Sequence, residues 1–234
     1  MKSFLLLSFV LITCAGVSAQ DSNLVTIKTG YKVKDVLAPA DIYFYPQFIN
    51  GKVLFRDGTK AAAKMNYSRL FDQILFIDPS ADTLALADEK TIKFITIDRD
   101  TFFYDEGYMR LIADHDVIKL AEKQIWVVAD IRKMGTYNRV TNTVAVESFS
   151  SYTNGSDPAK SKDLILNEDI VLRKETQYYI GDQNNHFVRA GKSKLLQLFP
   201  KAQRAIENYL KENKVNFDKK EDLEKLARFL AQPI

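Results

Sequence analysis

Asn50-Gly51-Lys52-Val53-Leu54-Phe55-Arg56-Asp57-Gly58 (NGKVLFRDG) is the stretch from which the fold is read. Asn-Gly and Asp-Gly favour tight type I′ turns, because both central residues of such a turn need positive φ. Two of these dipeptides bracket residues 52–56 (KVLFR), which predicts a strand with a hairpin turn at each end. Val53 and Phe55 then share one face of that strand, since side chains alternate along it.

The neighbouring segments have the same character. Residues 59–67, 73–77 (QILFI), 83–87, 91–97 (TIKFITI), 101–104 and 108–113 (YMRLIA) are short and rich in β-branched and aromatic residues. Such runs, spaced by turn signals, predict an antiparallel meander over residues 43–122, curled into a roll or partial barrel. The apolar run at 117–131 suits either one helix or two strands, and Val127-Val128 with the Gly135 stop favours strands. A polar stretch at 148–163 (SFSSYTNGSDPAKSKD) has the composition of a mobile surface loop. Strands are expected again near 169–174 and 177–180, with a last one at 186–189.

The C-terminal part changes to a helical period. Residues 193–199 read as a short helix, and Pro200 stands where the first turn of another begins. Ala202, Ala205, Ile206, Tyr209 and Leu210 fall on one helical face. Asp218 followed by Glu221 resembles a capping box opening a helix with Leu223, Leu226, Ala227 and Leu230 on one stripe. Both stripes are expected to pack on the sheet or on each other rather than to dock a partner. The fold expected is α+β: a curled antiparallel β domain over residues 20–190, with a helical segment, 191–234, packed on it.

The first residues point to export. Lys2 precedes an apolar run, Phe4 to Ile12 (FLLLSFVLI), and Val17-Ser18-Ala19 offers the small residues that a signal peptidase needs. The run is too short to cross a hydrocarbon core of roughly 30 Å, so residues 1–19 read as a cleaved leader with no transmembrane helix after it. Leu11-Ile12-Thr13-Cys14 has a faint likeness to a bacterial lipobox, which would anchor the chain through a lipid on Cys14. Thr13 is unfavourable there, and the Val17-Ser18-Ala19 site competes with it. Cys14 is the single cysteine, so the mature chain has no disulfide, zinc-thiolate site or thiol nucleophile. Loss of Lys2 with the leader lowers the formal charge of +3 by one, acids and bases are mixed, and no basic block suggests nucleic acid as a partner. The hydrophobic share of 46% is enough to build a core without disulfides.

Few residues suggest chemistry. Asp114-His115-Asp116 invites a metal reading, but on a strand the aspartates share one face while His115 points to the other, so a polar turn is expected. Asp98, Asp100, Asp105 and Glu106 form an acidic group that could serve a glycosidase only if two of them faced each other across a cleft. The two histidines, His115 and His186, lie far apart, and no phosphate loop, nucleophile elbow or calcium loop is present. Tyr43, Phe44, Tyr45, Phe48, Tyr178 and Tyr179 could form a platform for a glycan or peptide, although packing is the commoner role in a β-rich protein. No catalytic, metal-binding or cofactor-binding residue is assigned.

Tyr45-Pro46-Gln47-Phe48, Gly51-Lys52-Val53, Asp57-Gly58, Met65-Asn66-Tyr67 and Asp82-Thr83-Leu84 form a series that resembles a family of exported, uncharacterised proteins of the Bacteroidota. Residues 192–230, with a Leu-Phe-Pro step, similarly resemble a helical tail of envelope proteins from that group. The resemblance implies a periplasmic or surface location and no catalytic residues. It also implies that Asp82-Thr83-Leu84 matches a short O-glycosylation pattern, placing a sugar on Thr83. Asn66-Tyr67-Ser68 and Asn154-Gly155-Ser156 would count as N-glycosylation sites only in a eukaryotic secretory route.

The function expected is a non-catalytic periplasmic or surface protein whose partner is an envelope protein, a glycan or a lipid. A second reading is a carrier holding an apolar ligand such as lipid in the curved sheet. A third is a hydrolase working through Asp98, Asp100 and Asp105.

Overall fold

The computed structural model describes residues 23–134, 140–142, 147–153 and 165–232. The expected leader with Cys14, most of the 148–163 loop and Asn154 lie outside the described residues. In chain order the elements are β1 (Leu24–Ile27), α1 (Val33–Val36), α2 (Pro39–Ile42), β2 (Ile49–Phe55), β3 (Lys60–Ser68), β4 (Gln73–Ile77) and β5 (Thr83–Ala85). A 3-10 turn (Glu89–Thr91) leads into β6 (Ile92–Ile97), β7 (Asp100–Tyr104), β8 (Tyr108–Asp114) and β9 (Ile118–Met134). Then come β10 (Val140–Asn142), β11 (Glu147–Ser148), α3 (Phe149–Tyr152), β12 (Asp169–Asp182) and β13 (Phe187–Arg189). The chain ends in α4 (Lys192–Leu198), a second 3-10 turn (Pro200–Ala202), α5 (Gln203–Glu212) and α6 (Lys220–Leu230).

The fold is α+β: one curled antiparallel sheet in the order β1-β12-β9-β8-β7-β6-β2-β3-β4-β5, with helices packed on it. The strands expected between residues 52 and 113 are all present. Asp57-Gly58 is a hairpin turn, with Gly58 at φ +91 and its N–H donating to the Phe55 carbonyl. Asn50-Gly51 is not a turn, and the hairpin expected there is corrected. Both residues lie inside β2, opposite Lys64 and Ala63 of β3. Gly51 serves close packing instead, since a Cβ there would come 2.7 Å from the Met65 sulfur.

The meander breaks once. After β5 the chain crosses the open end of the curl and places β6 beside β2, not beside β5. The crossing is pinned at both ends: Leu86 N–H donates to the Ile74 carbonyl, and Arg56 N–H donates to Thr91. From β6 onward the sequential pairing resumes through β7, β8 and β9.

Residues 118–131 form part of a single 17-residue strand rather than two, with Val117 in the turn before it. Its length follows from its partners: β12 runs along one edge, while β8, β11 and β10 pair with successive parts of the chain opposite. β12 is likewise one strand of 14 residues where two were expected, with a bulge at Val171/Leu172. Along β9, Ile118 and Leu120 pack under the C-terminal helices, and Trp126 and Val128 pack against α1, α2 and α3. Between these apolar ends the same face carries Glu122 and Gln124. Of the polar stretch expected to be a loop, the first residues form α3, with Phe149 fully buried and the Ser148 hydroxyl accepting from Ser151 N–H at 3.1 Å.

The curl is closed off by a loop and side chains, not by a further strand pair. Arg69, in the β3–β4 turn, accepts a backbone hydrogen bond from Trp126 of β9. Asp72 in the same turn, at φ +52, takes Lys123 Nζ at 2.7 Å and Tyr67 Oη at 2.9 Å, and its Oδ1 also accepts from Tyr108 N–H. Gly107 lies against this pair at φ +130, with the Lys123 and Asp72 side chains where a Cβ would stand. Val53, Met65, Tyr67, Ile74, Ile95 and Phe102 fill the space within the curl.

Leu223, Leu226, Ala227 and Leu230 of α6 and Ile206 of α5 are buried against Ile118, Leu120 and Ile180, as their spacing predicts. Each leucine contributes about 1.5–3 kcal/mol through burial. The capping box is corrected: α6 begins at Lys220 and has no side-chain cap. Asp222 instead accepts from Asn216 N–H at 3.0 Å, which ties the preceding loop to the first helical turn.

At the sheet edge, Thr29 N–H and Oγ1 both donate to Asp169 Oδ1, at 2.8 and 3.0 Å. These bonds hold the Asp169 carboxyl below its ordinary value of 3.8. A carboxylate lowered on folding stabilises the protein above its unfolded pKa and loses that contribution as the pH falls through the folded value. Asp169→Asn is therefore expected to make stability less sensitive to pH below about 4. Urea unfolding followed between neutral and acid pH checks this, and an unchanged acid limb counts against it.

Candidate functional site

The carboxylates singled out in the sequence do not converge. Asp98 sits in the β6–β7 turn at φ +52, and Glu106 in the β7–β8 turn at φ +54. Asp100 opens β7, where Arg110 Nη1 lies 2.8 Å from Oδ1 and the Tyr45 hydroxyl donates to Oδ2 at 2.7 Å. Asp105 follows the other end of β7; its Oδ2 accepts from Phe187 N–H at 2.9 Å and lies 3.3 Å from His186 Nδ1. Five residues of strand separate Asp100 and Asp105 by about 16 Å. Paired glycosidase carboxylates stand roughly 5–9.5 Å apart. Asp100 is moreover paired with Arg110.

Arg110 is the centre of a network that sequence reading missed. It bridges Asp100 and Glu122, the latter only 6% exposed, and its guanidinium lies 5.2 Å from the Phe44 ring centroid. Arg69 stacks on the same ring at 4.8 Å, donates through Nε to Gln124 Oε1 at 3.1 Å, and through Nη1 to the carbonyls of Ala40 and Tyr43. Burial, then the hydrogen bond to Asp100, pushes the Tyr45 phenol far above its usual range. Phe44 also meets Tyr45 and Phe102 edge-on, and Tyr43 meets Phe48. These half-buried rings pack the segment before β2 onto the sheet.

Asp114-His115-Asp116 is the β8–β9 turn, with Asp116 at φ +60 and Asp114 Oδ1 accepting its N–H at 3.1 Å. Among the described residues no three potential metal ligands group together. Asn66 is buried, accepts from Tyr45 N–H, and donates to the carbonyls of Tyr45 and Gln47. A sugar could not be attached to it in the folded protein. Thr83 lies in β5, paired with Ile77.

The open end of the curl offers a groove. Phe55 of β2, Ala61 and Ala63 of β3, Phe76 of β4 and Leu86 of the crossing segment line a space of about 510 Å3 with Met65 at its base. This volume lies within the range of small-ligand sites, roughly 300–1,000 Å3. Ala61 and Ala63 face inward beside Val53 and Gly51, and their small side chains leave the space that larger residues fill deeper in the curl. Among the described residues Asp78 is the one charged side chain on its rim.

Phe55 also borders a second recess of about 610 Å3, lined by Arg56, Asp57, Thr59, Lys90 and Thr91. Arg56 Nε donates to the Lys90 carbonyl at 2.9 Å, which fixes the guanidinium against the 3-10 turn. Asp57 is turned inward on its own hairpin, where its Oδ1 accepts from Thr59 N–H and Oγ1. Compared with family models, curated proteins and solved structures, the chain finds no match.

Proposed function

We propose that the chain is an exported, non-catalytic binding protein of the cell envelope that holds one apolar chain in the groove at the open end of its curled sheet. The observation that carries this reading is the groove itself: a space of about 510 Å3, walled by apolar side chains on three neighbouring strands and bordered by the crossing segment. The curl behind it is filled by its own side chains, so the ligand lies at the mouth and not within. Leader-like residues at the start of the chain and the resemblance to exported Bacteroidota proteins support the location. The dispersed carboxylates support binding without turnover.

Native mass spectrometry of the protein extracted from its own envelope tests both parts. The expected species starts at Gln20 or Asp21 and carries a bound lipid. Ala61→Trp fills the groove on an exposed strand position and is expected to weaken lipid binding by at least about tenfold while leaving the unfolding midpoint unchanged. Retention of Met1, or equal binding by the filled variant, would refute the reading.

A further inference from the structure

The apolar groove and the cationic recess share Phe55 as their common wall, and that juxtaposition identifies the ligand more closely. We infer that the ligand is a single-chain fatty carboxylate, with its hydrocarbon in the groove and its head group held by Arg56 and Lys90. This rests on the groove being the binding site.

Charge complementarity supports the choice. Neither Arg56 nor Lys90 meets a carboxylate among the described residues, and Arg56 is held beside Lys90 by its bond to the Lys90 carbonyl. Arg56 keeps both Nη atoms for an incoming anion, because the Lys90 carbonyl engages only its Nε. Among the described residues the recess thus holds two cations and one carboxylate, Asp57, whose Oδ1 serves Thr59. One net positive charge matches a monoanion better than a dianionic phosphate. Phe55 lines both the apolar groove and the charged recess, so an amphiphile lying against it would meet both kinds of wall.

Calorimetric titration of the delipidated full chain with dodecanoate, dodecanol and dodecyl phosphate tests the assignment. Dodecanoate is expected to bind about tenfold more tightly than dodecanol, with a difference that shrinks as salt is added. Arg56→Gln with Lys90→Gln is expected to abolish that difference and leave dodecanol binding as it was; Lys90→Gln alone, at an exposed side chain, serves as the variant least able to disturb folding. Equal affinity for dodecanoate and dodecanol in the unaltered protein overturns the head-group assignment while the groove stands. Dodecyl phosphate binding more than about tenfold tighter than dodecanoate overturns the choice of carboxylate. Absence of binding by all three overturns the groove as well.

Discussion

Asp72→Ala is expected to cost about 3–5 kcal/mol, because it leaves a buried lysine without its partner. Lys123 is 7% exposed and its Nζ lies 2.7 Å from Asp72 Oδ2. The same carboxylate accepts from the Tyr67 hydroxyl and from Tyr108 N–H, so its removal also takes an acceptor from two donors inside the curl. The loss would open the seam between the β3–β4 turn and β9, which no strand pairing holds. Replacing both partners by apolar residues, as in Asp72→Ala with Lys123→Met, is expected to recover much of the stability, since no unpaired charge then remains buried. Urea unfolding at neutral pH measures each variant. A loss below about 1 kcal/mol for the single change would mean that the pair is not buried as described.

Asp72 also acts on the pH profile in the direction opposite to Asp169. Burial raises its carboxyl above the ordinary value of 3.8, while Lys123 pulls it back. The folded protein therefore takes up this proton before the unfolded chain does. Its contribution weakens stability as the pH rises through the raised value.

Arg110→Leu is expected to cost a similar amount, about 3–5 kcal/mol at neutral pH. Arg110 separates two carboxylates, Asp100 and the almost fully buried Glu122, and lies over Phe44. Without it the two acids are left unpaired on either side of β8, and one of them has little access to water. Arg110→Lys keeps the charge but not the forked geometry and is expected to lose only about 1–2 kcal/mol. Urea unfolding at neutral pH separates these outcomes, and an equal loss for Arg110→Leu and Arg110→Lys would show that packing, not charge, is what Arg110 supplies.

The pattern of polar residues within apolar runs was visible before the structure, although its meaning was not. Glu122-Lys123-Gln124 interrupts the run from Ile118 to Val128, and each of the three side chains finds a distant partner: Arg110, Asp72 and Arg69. Nothing local distinguishes such residues from a solvated turn. Arg110 is the cross-strand neighbour of Glu122 in the β8–β9 hairpin, whereas Asp72 and Arg69, 51 and 55 residues away, reach Lys123 and Gln124 only when the sheet curls. The groove is hidden for a similar reason. Ala61 and Ala63 read as ordinary strand residues, and the space above them exists because β4 and the crossing segment rise on either side.

Strands, turns and helices follow from interactions between near neighbours in the chain. Alternating β-branched and aromatic residues, the Asp57-Gly58 turn and the leucine stripe of α6 were therefore legible along the chain. Asn50-Gly51 shows the boundary of that legibility. The dipeptide favours a turn by itself, yet β3 on one side and β6 on the other supply enough hydrogen bonds to hold it extended. Which edges pair, where the sheet breaks its sequential order and which charges meet all depend on contacts between distant segments. Those contacts form only when burying the apolar faces offsets the entropy of closing long loops, a balance struck by the whole molecule and by no stretch of it alone.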